Sequence, residues 1–476
     1  MKKLLLIFTL PLFLTFCSQQ DPVARVVLQS TPNNFIRVNH PVQDYVSWNG
    51  HVDTLRADEN NQIIFEKSIR KPQYVKVLTK EKSIYMILVP GQQTTIEYID
   101  STYVFTGENS AGITLLNSFK RPEYTLTESA KYEKDSTAIQ ISSRISPMRE
   151  SELKQVTALL NVGKIDKNFA DLLLAETNYY YALRILEVIS TKGTGEGFDQ
   201  LAKETIKNNP IATAYKPGIW IQYAQSVLFD IPLTLDIIAG KIQQDSISQL
   251  WEKDQFHAFQ YQWVNRYENR EIAEKVLADY LLSKASRLNF EKSLIGLSEQ
   301  FDKEFPGSIY SQYINKKIAV IRDFHKKIAR EMPETIKIIE NDTIKNLKEL
   351  IEVVKGEKYY VDLWASWCSP CKREFKHNPE LNAFLKTKGY KKLYISIDKA
   401  KDEDKWINDI KYFELDGLHF LASKEFVVDF EKNHSPYQDL IMIPQYMIIN
   451  EQGEILEKTA PNPSELPKLK ELMANL

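Results

Sequence analysis

A pair of cysteines separated by two residues, Cys368 and Cys371, follows an apolar segment of the chain. Residues 359–364 are rich in aromatic and branched side chains, which predicts a buried strand, and a helical pattern continues from Cys371. Cys368 is therefore expected at a helix N-terminus, where unpaired amide groups and the helix dipole favour thiolate over thiol. Pro370 stiffens the first turn, and Cys371 can reach back to Cys368. This pattern predicts thiol–disulfide exchange.

The same cysteine spacing also occurs in one half of a structural zinc site. Tetrahedral zinc takes four ligands, but the chain has no second cysteine pair. The other ligands would have to come from three histidines that converge on the pair, His377, His419 and His434. We therefore expect a redox pair that uses neither a metal nor another cofactor.

The residues around the cysteines carry a resemblance that goes beyond their spacing. Residues 364–375, WASWCSPCKREF, resemble the active-site segment of the TlpA/ResA-like branch of thioredoxin-fold proteins. These are bacterial, extracytoplasmic thiol–disulfide oxidoreductases. Residues 441–456 resemble the cis-proline strand of the family and the hairpin that follows it, and the whole resemblance covers about residues 334–476. It implies an α/β thioredoxin-like domain at the C-terminus.

The resemblance also implies roles for single residues. Cys368 would be the nucleophile and Cys371 the resolving thiol, while Trp367 would cover the disulfide. Asp362, six residues before Cys368, matches the buried acid that accepts the proton of the second cysteine. The alternative for Asp362 is a charge at the sheet end that is held by hydrogen bonds.

Two further positions match the family, and two depart from it. Pro444 matches the cis-proline that lies opposite the cysteines. Glu374 matches a glutamate three residues after the second cysteine; it either tunes the thiols or merely suits the helix dipole. The departures are Lys376, where the family often has proline, and Ile443, where the family has Gly or Val-Gly before the cis-proline. They bear on partner preference and leave the expected fold unchanged.

The N-terminus indicates the compartment. Lys2 and Lys3 precede an apolar stretch, residues 4–16, which is too short to span a membrane and has the layout of a secretory signal. Residues 14–17 resemble a bacterial lipoprotein box, which predicts a signal peptide over residues 1–16 and lipidation of Cys17. The alternatives are ordinary cleavage and an uncleaved anchor. The expected location is the cell envelope, as a periplasm-facing membrane lipoprotein.

The remaining chain is too long for one thioredoxin domain. Short β-type segments predict a small all-β domain over residues 17–108, built as an antiparallel sandwich or half-barrel, and helical periodicity predicts an all-α domain over residues 109–332. The thioredoxin-like domain would occupy residues 333–476, which makes the fold class multidomain. With 43% hydrophobic residues and a net charge of -2, the composition indicates soluble domains without nucleic-acid binding.

These observations predict an extracytoplasmic enzyme that reduces protein disulfides. Its partners would be protein disulfides or dithiols, an upstream membrane electron donor and, through Cys17, the membrane. One alternative is an adaptor or binding lipoprotein with an appended thioredoxin domain. Another is a peroxide-reducing enzyme, although the Pro-x-x-x-Thr/Ser-x-x-Cys context of such enzymes is absent. The direction of electron flow stays open, because it depends on thiolate stabilisation.

Overall fold

A computed structural model of the chain describes residues 21–42, 52–121, 130–214, 216–339, 343–436 and 440–476. The predicted signal peptide and Cys17 lie outside these residues. Within the described part of the chain, no helix has the length and apolar character needed to cross a membrane. The chain has an N-terminal β-rich region, a helical middle and a C-terminal α/β domain, which confirms the predicted multidomain class in outline.

The β-rich region consists of two four-stranded sheets, ordered β4-β1-β7-β8 and β3-β2-β5-β6. The strands are β1 Val23–Gln29, β2 Phe35–Asn39, β3 Val52–Arg56, β4 Gln62–Ser68, β5 Gln73–Leu78, β6 Ser83–Leu88, β7 Gln93–Ile99 and β8 Thr102–Gly107. The expectation of a purely antiparallel layout is wrong at one pair, since β1 and β7 run parallel. The chain passes through the second sheet between these two strands, and that crossover allows the parallel direction.

The helical middle shares a hydrophobic core with the sheets. Its helices are α1 Ser110–Ser118, α2 Ala138–Asn161, α3 Lys167–Lys192, α4 Phe198–Asn208, α5 Trp220–Gln225, α6 Ile231–Ile238, α7 Gln244–Glu252, α8 Phe256–Asn265, α9 Arg270–Ala285, α10 Ser293–Glu304 and α11 Ser311–Ile328. Ile113 of α1 and Phe169 of α3 are fully buried against strand residues. Asp166 caps α3 by accepting from the Phe169 amide at 2.9 Å, and it also accepts from Asn109 Nδ2 at 2.7 Å. The core therefore continues across the predicted boundary at residue 108.

The chain divides into two compact units. The first contains Met1–Ile247 and Gln262–Asp279, and the second contains Ser248–Tyr261 and Tyr280–Leu476. The second unit thus joins α10 and α11 to the C-terminal domain. This division differs from the expected boundary between residues 332 and 333, which stays a prediction.

The C-terminal domain has a six-stranded sheet, ordered β14-β13-β10-β11-β12-β9. Its elements are β9 Ile336–Ile338, α12 Leu347–Val354, β10 Lys358–Trp364, α13 Ser369–Glu374, α14 Asn378–Thr387, β11 Tyr390–Ser396, α15 Glu403–Phe413, β12 Gly417–Leu421, α16 Lys424–Asn433, β13 Gln445–Ile449, β14 Ile455–Glu457 and α17 Leu466–Leu472. The sheet is mixed, with β9–β12, β12–β11 and β11–β10 parallel and β10–β13 and β13–β14 antiparallel, and buried clusters cover both of its faces.

Strand β10 lies in the interior of this sheet, and its two faces meet different layers. Tyr359, Val361 and Leu363 pack in the core shared with α12 and α16. Tyr360 and Trp364 alternate with them and contact the helices of the other layer. Because strand side chains alternate between faces, Asp362 lies on the same face as Tyr360 and Trp364. The strand therefore carries its one acid toward the layer that contains the cysteines.

From the sequence alone, residues 336–344 suggest a strand pair that turns at Asn341 and Asp342. The expected strand pair between residues 336 and 344 is wrong, because β9 pairs in parallel with β12. The turn proposed for it, Asn341 and Asp342, lies outside the described residues. The sequence also predicts a kink of the active helix at Asn378 and Pro379. In the structure a short 3-10 segment, Phe375–His377, separates α13 from α14 directly before these residues. Strand β12 and helix α17 were not predicted, because both are short and their apolar residues form no clear period.

Candidate active site

Cys368 and Cys371 form a disulfide, with Cα atoms 5.3 Å apart, where β10 leads into α13. Cys368 is the N-cap residue of α13, and its Sγ accepts from the Cys371 amide at 3.1 Å. Pro370 lies within the first turn of α13. N–H groups in a first turn have no hydrogen-bond partner within the helix, so the helix loses nothing through the N–H that proline lacks. An amide directed at Sγ stabilises negative charge there once the disulfide is reduced. The local sequence thus builds a turn that favours a thiolate at Cys368.

The two cysteines are both buried, whereas the neighbouring Trp367 is largely exposed to solvent. Cys368 is 4% exposed and Cys371 is fully buried, but Trp367 is 59% exposed. Trp367 therefore does not lie in the core beside the cysteines. It presents its indole to solvent next to the site at which a partner disulfide would arrive.

Asp398 holds the loop that precedes Cys368, and sequence analysis missed it. Its carboxylate accepts from the Ser366 amide at 2.7 Å and from the Ser366 hydroxyl at 2.8 Å. It also accepts from the Ser396 hydroxyl at 2.7 Å. All three residues are buried. The sequence pattern that could have identified Asp398 is an acid two residues after Ser396, which ends β11, the strand beside β10.

Asp362 is completely buried, and its two carboxylate oxygens accept no hydrogen bond from the described residues. Burial raises its pKa to about 7, while the positive charge of Lys392 opposes this shift and Glu374 adds to it. The alternative of a carboxylate held by hydrogen bonds is therefore not what the fold provides. A buried acid with a pKa near neutrality can accept and release a proton at physiological pH.

Lys392 is the buried cation that acts on Asp362, and sequence analysis did not identify it. It lies on β11, donates to Asn378 Oδ1 at 2.7 Å and is only 4% exposed. Burial lowers its pKa to about 8, and the charge of Asp362 opposes that change. Lys392 lies two residues before Tyr394, which pairs with Asp362 across the strands, so both side chains occupy one face.

Glu374 contacts a different part of the domain from the one expected. Its Oε2 accepts from the Ser464 amide at 2.9 Å, and Oε1 accepts from the Ser464 hydroxyl at 3.1 Å. Ser464 belongs to the short 3-10 segment Pro463–Glu465 that leads into α17. The carboxylate thus caps this segment, and it acts on Asp362 only through its charge.

The peptide bond between Ile443 and Pro444 is cis. Ile443 packs against the apolar cluster that contains Cys368 and Cys371. This contact brings the start of β13 to the cysteines, although Pro444 lies more than 70 residues from them in sequence. Because proline has no N–H, the backbone beside it stays open to an incoming chain.

Two of the three histidines considered as zinc ligands, His419 and His434, have other surroundings. His419 is buried, its Nε2 lies 2.7 Å from the Leu415 carbonyl oxygen, and its ring stacks on Tyr394 at 4.6 Å. His434 lies 3.7 Å from Asp429. Across the described ranges, no group of three or more His, Cys, Asp or Glu is arranged to hold a metal ion.

A cysteine pair at a helix N-terminus, beside a buried acid and a cis-proline, defines the class of thioredoxin-like thiol–disulfide oxidoreductases. Comparison with known families agrees, since the Redoxin family model matches residues 327–473. The C-terminal part of the chain is therefore a Redoxin domain of the thioredoxin-like thiol–disulfide oxidoreductase family.

Two thiol–disulfide oxidoreductases of Bacillus subtilis are similar to part of the chain. Sporulation thiol-disulfide oxidoreductase A of Bacillus subtilis is 28% identical over 120 residues, which are 25% of this chain and 67% of the relative. Thiol-disulfide oxidoreductase ResA of the same organism is 22% identical over 104 residues, which are 22% of this chain and 53% of ResA. The chain thus spans about two thirds of one relative and about half of the other.

Two solved structures are also similar to part of the chain. A solution structure of a putative thiol-disulfide oxidoreductase from Bacteroides vulgatus is 25% identical and covers 26% of this chain and 79% of its own, with a TM-score of 0.22. The crystal structure of StoA from Bacillus subtilis is 25% identical and covers 24% and 84%, with a TM-score of 0.20.

Proposed function

We propose that the protein reduces disulfides of other proteins through Cys368 and Cys371. The observation that carries this proposal is a cysteine pair at a helix N-terminus, above a buried Asp362 that accepts no hydrogen bond from the described residues. A structural disulfide would need neither the directed Cys371 amide nor a titratable acid in the core. Both features suit a cysteine pair that alternates between the disulfide and the dithiol state.

The first step is attack by the Cys368 thiolate on one sulfur of a target disulfide. A bond forms between Cys368 Sγ and that sulfur, the target S–S bond breaks, and the second target sulfur leaves as a thiolate that takes a proton from solvent. The Cys371 amide, 3.1 Å from Cys368 Sγ, supports the thiolate before attack. The product is a mixed disulfide between the two proteins.

The second step is resolution by Cys371. Asp362 in its carboxylate form accepts the proton of the Cys371 thiol, and the resulting thiolate attacks Cys368 Sγ. The mixed disulfide breaks, the reduced target leaves, and the Cys368–Cys371 disulfide remains. Two electrons have passed to the target, so a dithiol donor must reduce the pair again. In the cell we assign this role to an upstream membrane electron donor.

The remaining predicted site residues have supporting roles in this proposal. Pro444 leaves backbone open for pairing with an extended substrate, and Pro370 keeps the cysteine turn rigid. Trp367 presents an apolar surface to the substrate. Glu374 positions the segment before α17 and contributes negative charge near Asp362.

We further propose that the enzyme works outside the cytoplasm, attached to the membrane through lipid at Cys17. The support is the N-terminal sequence pattern, since a disulfide can persist in that compartment. Neither nucleic acid nor a metal has a part in this function.

The test is a turnover assay together with a measurement of the reduction potential. The full chain without its signal peptide should reduce insulin disulfides with dithiothreitol, and the Cys368→Ser variant should not. A reduction potential of about -220 mV or lower, at or below the level of the cytosolic glutathione pool, indicates a reductase, whereas a value near about -120 mV indicates an oxidase. If wild-type chain and variant behave alike, the adaptor function is favoured instead.

A further inference from the structure

A cleft of about 430 Å³ lies beside Trp367, within the second compact unit. Part of its lining comes from residues before position 327, which the Redoxin family model does not match. The aromatic and charged side chains that matter here are Trp251, Phe290, Glu291, Phe324, Trp367 and Asp402. Its size falls within the range of sites that hold small ligands or single side chains. The cleft is thus a feature that the helical segments add to the thioredoxin-like domain.

One wall of the cleft is attached directly to the cysteine turn. We call residues 287–291 the docking segment. The Ser369 hydroxyl donates to the Arg287 carbonyl oxygen at 2.6 Å, and Lys372 Nζ donates to the Leu288 carbonyl oxygen at 2.8 Å. Ser369 lies between the two cysteines, and Lys372 follows the second. The docking segment is therefore positioned by the same turn that positions the disulfide.

The docking segment has an unfavourable backbone conformation, which persists only where surrounding contacts hold it. Leu288 and Phe290 have φ angles of 59° and 60°, a left-handed backbone that is unfavourable for residues with a Cβ. Contacts of Phe290 offset this cost, because its ring stacks on Phe324 at 4.1 Å and lies 5.2 Å from Lys372 Nζ. The wall is thus formed in advance of any ligand.

Two indole rings remain open to solvent at the cleft. Trp251 is 47% exposed, although its ring is held in place by stacking on Phe256 at 4.1 Å. Trp367 is 59% exposed. Covering an exposed, fixed aromatic ring with another aromatic group is favourable, because it removes apolar surface from water and adds a contact between the rings. Trp251 and Trp367 therefore favour an apolar, aromatic occupant.

The chemistry at Cys368 determines which molecule reaches this cleft. Trp367 precedes Cys368, so their Cα atoms are about 3.8 Å apart. A target sulfur bonded to Cys368 brings its own flanking residues to the same place, and each extended residue spans about 3.3–3.6 Å. Two or three residues on one side of the target cysteine are enough to enter the cleft.

We propose that the cleft binds the polypeptide that flanks the target cysteine, and that Trp251 makes the enzyme selective for an aromatic side chain there. This inference rests on the proposed disulfide exchange and specifies its substrate. Glu291 and Asp402 also line the cleft, beside its aromatic walls.

The experiment compares two disulfide peptides that differ only in a phenylalanine or a serine placed two residues after the second cysteine. The full chain without its signal peptide is reduced, freed of reductant and mixed with each peptide, and peptide thiols are measured. The second-order rate constants of this single turnover should give a ratio of about ten in favour of phenylalanine for the wild-type protein. Trp251→Ala should bring this ratio close to one. Val428→Ala, at a 55% exposed position outside the cleft, should leave the ratio as in wild type.

A second variant makes the test independent of whether Trp251→Ala folds. Asn289→Trp, at an exposed position on the docking segment, fills the cleft with bulk and should also lower the ratio. A wild-type ratio near one, or a high ratio that survives both variants, overturns the inference while disulfide exchange stands. Failure of the reduced wild-type protein to reduce either peptide instead overturns the proposed function.

Discussion

The ammonium of Lys372 and the carboxylate of Asp409 form an ion pair at 2.6 Å, with side chains that are 3% and 4% exposed. Lys372 belongs to α13, directly after Cys371, and Asp409 belongs to α15. Burial raises the pKa of Asp409 to about 7, and Lys372 opposes that shift. The active helix is thus connected to α15 by a buried ion pair.

Removing one partner of this pair should destabilise the protein more than removing both. Asp409→Leu leaves a buried ammonium without its counter-charge, at an expected cost of about 3–5 kcal/mol in the free energy of unfolding. Adding Lys372→Met should recover most of that loss. Urea unfolding followed by tryptophan fluorescence measures both variants. The exposed pair Lys203–Asp199 is a control, for which the same cycle should give less than about 1 kcal/mol. A double variant as unstable as Asp409→Leu would contradict this prediction.

The buried acid should make stability fall as pH rises. The folded-state pKa of Asp362 is raised from 3.8 to about 7, so between these values the folded protein binds more protons than the unfolded chain. Stability then decreases with pH across this window, by up to about 1.4 kcal/mol per pH unit. Denaturant unfolding at several pH values should show this slope in wild type and a shallower one in Asp362→Asn. Equal slopes would show that Asp362 does not titrate in this range.

Asp362 should also control the resolving step. Because its carboxylate form accepts the proton of Cys371, resolution of a mixed disulfide should accelerate as pH rises through about 7. Asp362→Asn should slow resolution by about 10²–10⁴-fold and remove this dependence. Stopped-flow measurement of the decay of a preformed mixed disulfide separates resolution from attack. An unchanged pH profile in the variant would assign the proton to another acceptor.

The two cysteines should differ in what they trap. Cys371→Ala keeps the attacking thiolate and removes the resolving thiol, so mixed disulfides with partner proteins should accumulate. Cys368→Ala should abolish them. Non-reducing gels and mass spectrometry of the adducts measure the effect and identify the partners. Adducts with Cys368→Ala but not with Cys371→Ala would reverse the two roles.

Cys17 should determine where the protein fractionates. Lipid attached to this residue should carry the wild-type chain into the membrane fraction of a bacterial host, and Cys17→Ser should release it to the periplasm. Metabolic labelling with a fatty-acid analogue provides a direct readout of the modification. Wild-type protein found in the soluble fraction without label would mean that the lipoprotein interpretation is wrong.

Local patterns predicted the elements whose signals lie within a few consecutive residues. Strand β10 and the cysteine turn follow from alternation, helix-start chemistry and the position of Pro370. The position of β9 did not follow, because its partner β12 lies about 80 residues further along the chain. The parallel pairing of β1 with β7 escaped prediction for the same reason. Strand pairing depends on which backbones meet, and a period of alternating residues carries no information about partners.

The sequence by itself determined the chemistry of the site, since the cysteine spacing, the helix start and the acid in β10 are encoded within a dozen residues. Only the tertiary structure decided the environment of that chemistry. Burial in the folded domain raises the pKa of Asp362, and Lys392 on a neighbouring strand opposes that shift. The docking segment reaches the cysteine turn from more than 70 residues away. Desolvation and contact depend on distance in space, because charges and dispersion forces act between neighbouring atoms whatever their positions in the chain.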